Sequence, residues 1–303
     1  MSIPYNIKLN YIYESLQPQF VKSYDNAEPV TFDVSYVKKL MEDTQHLCNN
    51  IDKDTMNTLQ WKYLREVYIS ETGQSKITTD KATKLDKVVE AIIENYECSL
   101  DDECDLRMYK KCKNICTALE YVLYTDTSNI DKTLIVKLHE LVGKDIINNI
   151  GMYRTTHARP MGTTASNSPY YNHKTIPERI ATLLKFTNDK LMEMRCIDNP
   201  FVKIEWLLKL TTVMFSEFLL IHPFSNGNGR VARLLAQCLF KHMFQIPISL
   251  YVDADDRSRY IKVLDFRINY KDTNGCSRNR PDYLYGYFIE CVHKHYVNIL
   301  NMY

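Results

Sequence analysis

Ile221-His222-Pro223-Phe224-Ser225-Asn226-Gly227-Asn228-Gly229-Arg230-Val231-Ala232-Arg233 places two of the chain's eight glycines around one asparagine, in a protein of 303 residues that otherwise avoids glycine. An apolar run ends at His222, and a helix-forming run follows Gly229. A Gly-Asn-Gly turn entering a helix presents backbone N–H groups with no side chain in the way. The helix N-terminus adds partial positive charge, so the turn suits an anion. Arg230 and Arg233 stand three apart, which puts both on one helix face near that anion. Two forked guanidinium groups match a di- or triphosphate. His222 sits just ahead of the turn, where a neutral imidazole can take a proton from an incoming hydroxyl. Alone, a histidine after an apolar run is usually structural and a Gly-Asn-Gly is usually a plain turn. Their combination with two arginines at fixed offsets favours the catalytic reading.

Outward from this stretch, few residues break helices, and apolar positions recur at helical spacing, as in Ile204, Leu207, Leu208, Thr211, Phe215 and Phe218. The expected class is all-α. Helices are expected over about Asp33 to Tyr68, Thr79 to Tyr96, Leu106 to Tyr124 and Ile130 to Gly143, with the acidic Asp101 to Asp105 stretch either a loop or a helix start. Between Gly151 and Pro177 the residues change to Gly, Pro, Thr, Ser and Asn, which reads as a long loop or a short hairpin. Helices then resume at Pro177 and at Phe201, continue from Arg230 to Phe244, and run from Asp256 to the end around a loop at Lys271 to Pro281.

With 45% hydrophobic and 25% charged residues, the chain can bury a sizeable core. Its 38 basic and 37 acidic residues leave a net charge of +1, which provides no field for steering to nucleic acid or an anionic membrane. Nucleic-acid and membrane partners are therefore not expected. Nine cysteines without a Cys-x-x-Cys pair argue for free thiols in a reducing compartment. The opening residues lack a basic then apolar leader pattern, and no apolar run is long enough to span a bilayer, so a cytoplasmic or nuclear location is expected.

The stretch His222 to Arg233 resembles the signature of the Fic (Fic/Doc-type) family, HPFx(D/E)GNGRxxR, at every defining position except Asn226, which stands where the family has an acid. Ile150 to Arg154 with Pro160 to Tyr171 is similar to the strand-and-flap region before the signature. Asn114 to Tyr121 and Leu138-His139 resemble the upstream helices, and Arg257 to Leu264 the downstream Arg-x-x-Tyr helix. The likeness spans about Val67 to Ile299. It implies a Fic-type helical bundle with a short β-hairpin flap, divided into an N-terminal helical extension over residues 1–100 and a catalytic core over 101–303.

By the same resemblance, the chain is a protein adenylyltransferase that moves AMP from ATP to a hydroxyl side chain of a target protein. His222 is then the general base. Gly227, Asn228 and Gly229 form the phosphate turn, and Arg230 and Arg233 hold the β and γ phosphates. Asn226 takes the place of the Mg²⁺ ligand, so ATP and Mg²⁺ are the implied substrate and cofactor. The flap at about Met161 to Tyr171 would dock the target's Ser, Thr or Tyr segment. Tyr260 would line the base-side pocket, unless it is one more core or surface tyrosine among 22. An inhibitory helix is implied near residues 66–79, with Gln74 at its glutamate position, or Glu71 if the match shifts; an ordinary turn at Gly73 is the alternative. Two other readings stand beside adenylyl transfer. One is a catalytically weak nucleotide-binding or interaction module, suggested by Asn226; the other is transfer of a different phosphate-containing group.

Overall fold

The computed structural model describes residues 4–18, 34–48, 103–158, 170–244, 247–251 and 281–301, residues 257 and 259–264, and positions 55, 58, 59, 87, 88 and 90–92. The helices with defined bounds are α1 (Tyr5–Ser15), α2 (Val34–Cys48), α3 (Glu103–Tyr124), α4 (Lys132–Gly143), α5 (Ile176–Arg195), α6 (Pro200–Ile221), α7 (Asn228–Phe240) and α8 (Asp282–Leu300). A short 3₁₀ turn, His173–Thr175, leads into α5. No strand occurs among the described residues.

The bundle is built around α6. Asn199 caps its start, its side chain accepting from the N–H groups of Phe201 at 2.9 Å and Val202 at 3.4 Å. Pro200 fits the first position because an N–H there would have no helical partner. From residue 210 to 221 every side is buried, as suits a helix that is apolar around its whole circumference. Five helices, α1, α2, α5, α7 and α8, pack against it. Helices α3 and α4 pair with each other and both reach α7, so α7 is enclosed as well, with all its residues buried except Gly229. The Gly-Asn-Gly stretch thus lies between two extensively buried helices, and six residues, 222–227, join them.

The boundaries expected at Asp33, Leu106, Tyr124, Ile130, Gly143, Pro177 and Phe201 hold within a few residues, whereas those expected at Tyr68, Thr79 and Tyr96 and the loop expected from Lys271 lie outside the described residues. The acidic stretch is a helix start, since α3 begins at Glu103. Helix α7 starts at Asn228, two residues before the expected Arg230, and ends at Phe240 rather than Phe244. An unexpected element is α1, which docks on α5 and α6 through Leu9, Ile12, Tyr13 and Leu16. Ile7 and Tyr11 interrupt the pattern by placing apolar side chains on its solvent face, where they are 53% and 60% exposed. The hairpin expected over Met161 to Tyr171 lies outside the described residues except for Tyr170 and Tyr171, as do residues 66–79 with Gln74. Cys112, Cys116, Cys196, Cys238 and Cys291 are in no disulfide. No described helix is long and apolar enough to cross a membrane.

Candidate active site

Pro223 bars His222 from continuing α6, because the proline ring clashes with a right-handed residue before it. His222 instead takes a left-handed conformation, φ 48° and ψ 60°, uncommon for a residue with a β-carbon, while its N–H still closes the last helical bond to Phe218 at 2.9 Å. The strain is held from outside. Arg154 Nε donates to the His222 carbonyl at 2.6 Å, and Arg154 N donates to the Pro223 carbonyl at 2.8 Å. The Tyr170 ring stacks on the imidazole with centroids 4.0 Å apart and planes 25° from parallel.

Beyond the histidine, Asn228 staples the turn. Its Oδ1 accepts from the Phe224 N–H at 2.9 Å, and its Nδ2 donates to the Phe224 carbonyl at 2.7 Å, with the side chain buried. That pair of hydrogen bonds closes the loop from α6 into α7 and commits the Asn228 side chain to the turn. Its expected contribution to a phosphate site therefore falls to its backbone. Gly227 has φ 81°, and a β-carbon there would come within 3.0 Å of Ile147 Cδ1, so both conformation and space call for glycine.

His139 on α4 supports the turn from below. Its ring lies flat on Phe224, 3.7 Å between centroids. The Gly151 N–H donates to His139 Nδ1 at 2.8 Å, so the ring proton is on Nε2, which donates to the Asn226 carbonyl at 3.1 Å. Burial, reinforced by the nearby Arg230 charge, pushes the His139 pKa down to about 4 against the opposing effect of the Asn226 bond. The imidazole therefore stays neutral and keeps this tautomer.

The two arginines do different things. Arg230 is buried and donates from Nη1 to the Val142 carbonyl at 3.1 Å, tying α7 to the end of α4, where a cation meets the negative end of a helix. Arg233 folds back along α7. Its Nη1 lies 3.7 Å from where a Gly229 β-carbon would stand, and its guanidinium carbon is 5.9 Å from the Tyr251 ring centroid. Arg233 thus adds its charge to the N-terminal turn of α7. Tyr260 lies among Tyr251, Tyr287 and Phe215, with 4% of its surface exposed. It packs against Tyr251, the ring that Arg233 approaches, and this is the core position that was the alternative to a pocket wall.

Asn226 Oδ1 accepts from the Gly227 N–H at 2.7 Å. Among the described residues, no group of three or more His, Cys, Asp or Glu converges to hold a metal. One amide oxygen fits Mg²⁺ only as a single neutral ligand beside phosphate oxygens and water.

Tyr170, Arg154 and His139 are the site residues that sequence reasoning did not single out by role. Arg154 and His139 fall in segments of family likeness, but nothing in a sequence says that an arginine will meet carbonyls rather than solvent. Nor does anything distinguish Tyr170 from the other tyrosines.

A model of the Fic/DOC family matches residues 129–240. A Fido domain-containing protein of Dictyostelium discoideum is 34% identical over 68 residues, which is 22% of this chain and 43% of that relative, so the match spans less than half of the relative's length. The fold is that of a Fic family protein from Desulfovibrio desulfuricans (TM-score 0.61, 16% identity, 93% of this chain and 77% of that one). It is also that of a Fic domain-containing signaling protein from Bacteroides thetaiotaomicron (TM-score 0.64, 15% identity, 87% and 96%) and of Fic-1 from C. elegans (TM-score 0.60, 17% identity, 89% and 73%). Signature, family model and fold agree, and it is over residues 129–240 that this chain is similar to the Fic/DOC family.

Proposed function

We propose that this chain is a protein adenylyltransferase. Members of the Fic/DOC family commonly are transferases that place nucleotide or other groups on proteins. The observation that carries the finer reading is the six-residue link between α6 and α7. It sets a histidine held in a left-handed turn directly ahead of a glycine-flanked helix N-terminus overlaid by Arg233. A triphosphate bound at that N-terminus would present its α-phosphorus toward His222. The imidazole takes the proton of the target hydroxyl, the hydroxyl oxygen bonds to the α-phosphorus, and the bond to the bridging oxygen breaks to release pyrophosphate. Arg233 and the α7 backbone N–H groups stabilise the charge on that leaving group. The Arg230 bond to Val142 gives this residue a second task, keeping α7 in register with α4. Mg²⁺, held by Asn226 and the phosphates, would neutralise phosphate charge. The segment ending at Tyr171 would dock the target, and Tyr260 would back the Tyr251 ring behind Arg233.

One observation favours a catalytically weak module instead: Asn226 provides no negative charge, and its oxygen already serves the Gly227 N–H. Incubation with labelled ATP, Mg²⁺ and cell extract separates the readings, because only the enzyme leaves label on protein. His222→Ala should reduce labelling by ~10²–10⁴-fold with nucleotide affinity retained. Unchanged labelling would overturn the mechanism. Asn226→Asp should lower the Mg²⁺ concentration needed for half-maximal transfer and raise turnover at low Mg²⁺. If both proteins are inert, the module reading stands.

A further inference from the structure

Arg154 is 7% exposed, and its guanidinium donates to four backbone carbonyls drawn from three separate segments. Nε bonds the His222 carbonyl at 2.6 Å and Nη1 the Thr156 carbonyl at 2.7 Å. Nη2 bonds the Tyr171 carbonyl at 2.6 Å and the Ile221 carbonyl at 3.2 Å. Two of these acceptors, Ile221 and His222, are at the C-terminal end of α6, where helix carbonyls have no helical partner and a cation is favoured. The other two lie on either side of residues 157–170, the stretch that ends with Tyr170 on the His222 ring. The Tyr171 N–H closes the junction by donating to the Leu220 carbonyl at 3.0 Å.

We infer that Arg154 is a positioning residue that locks the left-handed His222 turn and both ends of the 157–170 segment into one unit. It thereby sets where a docked target hydroxyl meets the imidazole. This rests on the transferase reading for its effect on rate, but the locking itself does not. A planar fork is needed because the acceptors lie on different sides of the group. A lysine has three donors on one atom and cannot span them. No carboxylate takes part in these bonds, so the charge spreads over carbonyl dipoles. They hold a backbone conformation that a residue with a β-carbon seldom adopts unaided.

The test compares the full chain with Arg154→Lys and Arg154→Met. Amide hydrogen exchange, read by mass spectrometry, should be at least tenfold faster in both variants for peptides carrying the Tyr171 and His222 amides, with α7 unchanged. If the wild type transfers label, kcat should drop ~10–100-fold, in line with a small misplacement of reacting groups. The Kd for Mg²⁺·ATP by calorimetry should stay within twofold. Unchanged exchange at Tyr171 and His222 overturns the inference whether or not the protein is active. So does a parallel loss of nucleotide affinity and rate, which would mean that the residue supports the fold as a whole. Lysine keeps the charge and most of the volume, so it covers the case in which the methionine variant does not fold. A wild type without transfer activity defeats the transferase reading alone, and the exchange measurement still decides whether Arg154 is the lock.

Discussion

His139 has both ring nitrogens committed, one to the Gly151 N–H and one to the Asn226 carbonyl. Its pKa of about 4 in the folded chain lies below the ordinary value near 6.5 that it regains on unfolding. Between these two values the unfolded chain binds more protons, so stability is full above pH 6.5 and declines as pH falls toward 4. The shift corresponds to about 3 kcal/mol. His173, His242 and His293 are also lowered by burial and add to the same slope, so the contribution of His139 is read by difference. Urea midpoints from pH 7 to pH 4 should fall less steeply for His139→Gln than for the wild type. Parallel slopes would show that the ring is not held neutral. The same residue illustrates what a sequence conceals: His139 was readable as part of a family-like helix, whereas its place beneath the Gly-Asn-Gly turn depends on α4 packing against α7.

At the scale of elements, α1 is attached to α6 by a polar cluster inside an otherwise apolar contact. Glu217 is fully buried one turn before His222. It accepts from Lys8 Nζ at 3.1 Å, Tyr5 Oη at 3.0 Å and Tyr171 Oη at 3.2 Å, and Lys8 also donates to Tyr171 Oη at 2.6 Å. Arg179 of α5 lies over the Tyr171 ring, 3.8 Å from its centroid. Burial and the Glu217 carboxylate push the Tyr5 phenol well above its ordinary range, so it remains a donor. Losing the lysine takes the cation from a buried carboxylate, so Lys8→Met should cost about 1–3 kcal/mol, measured by urea unfolding. Lys8→Met combined with Glu217→Gln should cost less than the sum of the single changes. Strict additivity would mean that the two side chains do not sense each other. Because Tyr171 also meets Arg154, the cluster joins the N-terminal helix to the two residues that frame the histidine.

For the whole molecule, a ligand that binds only the folded chain stabilises it by mass action, about 2.7 kcal/mol at a hundredfold excess over Kd. Mg²⁺·ATP should therefore raise Tm by several degrees. In Arg233→Ala most of that increase should vanish, because the charge beside the α7 N-terminus is gone; an equal increase in both proteins would place the nucleotide elsewhere. The all-helical class, the helices flanking the Gly-Asn-Gly turn and the likeness to the Fic family were all legible in local sequence. Helical periodicity, Pro-terminated helix ends and positive-φ glycines act between residues close in the chain. Tertiary structure alone decided that Asn228 would staple the loop, that Arg230 would anchor α4 while Arg233 stayed by the turn, that Tyr260 would enter the core, and that Arg154 would gather carbonyls from residues 156, 171, 221 and 222. The reason is physical. A side chain's hydrogen-bond partners are selected by which buried backbone groups still lack one after the helices have packed, and those groups lie as far apart in the sequence as Arg154 and His222.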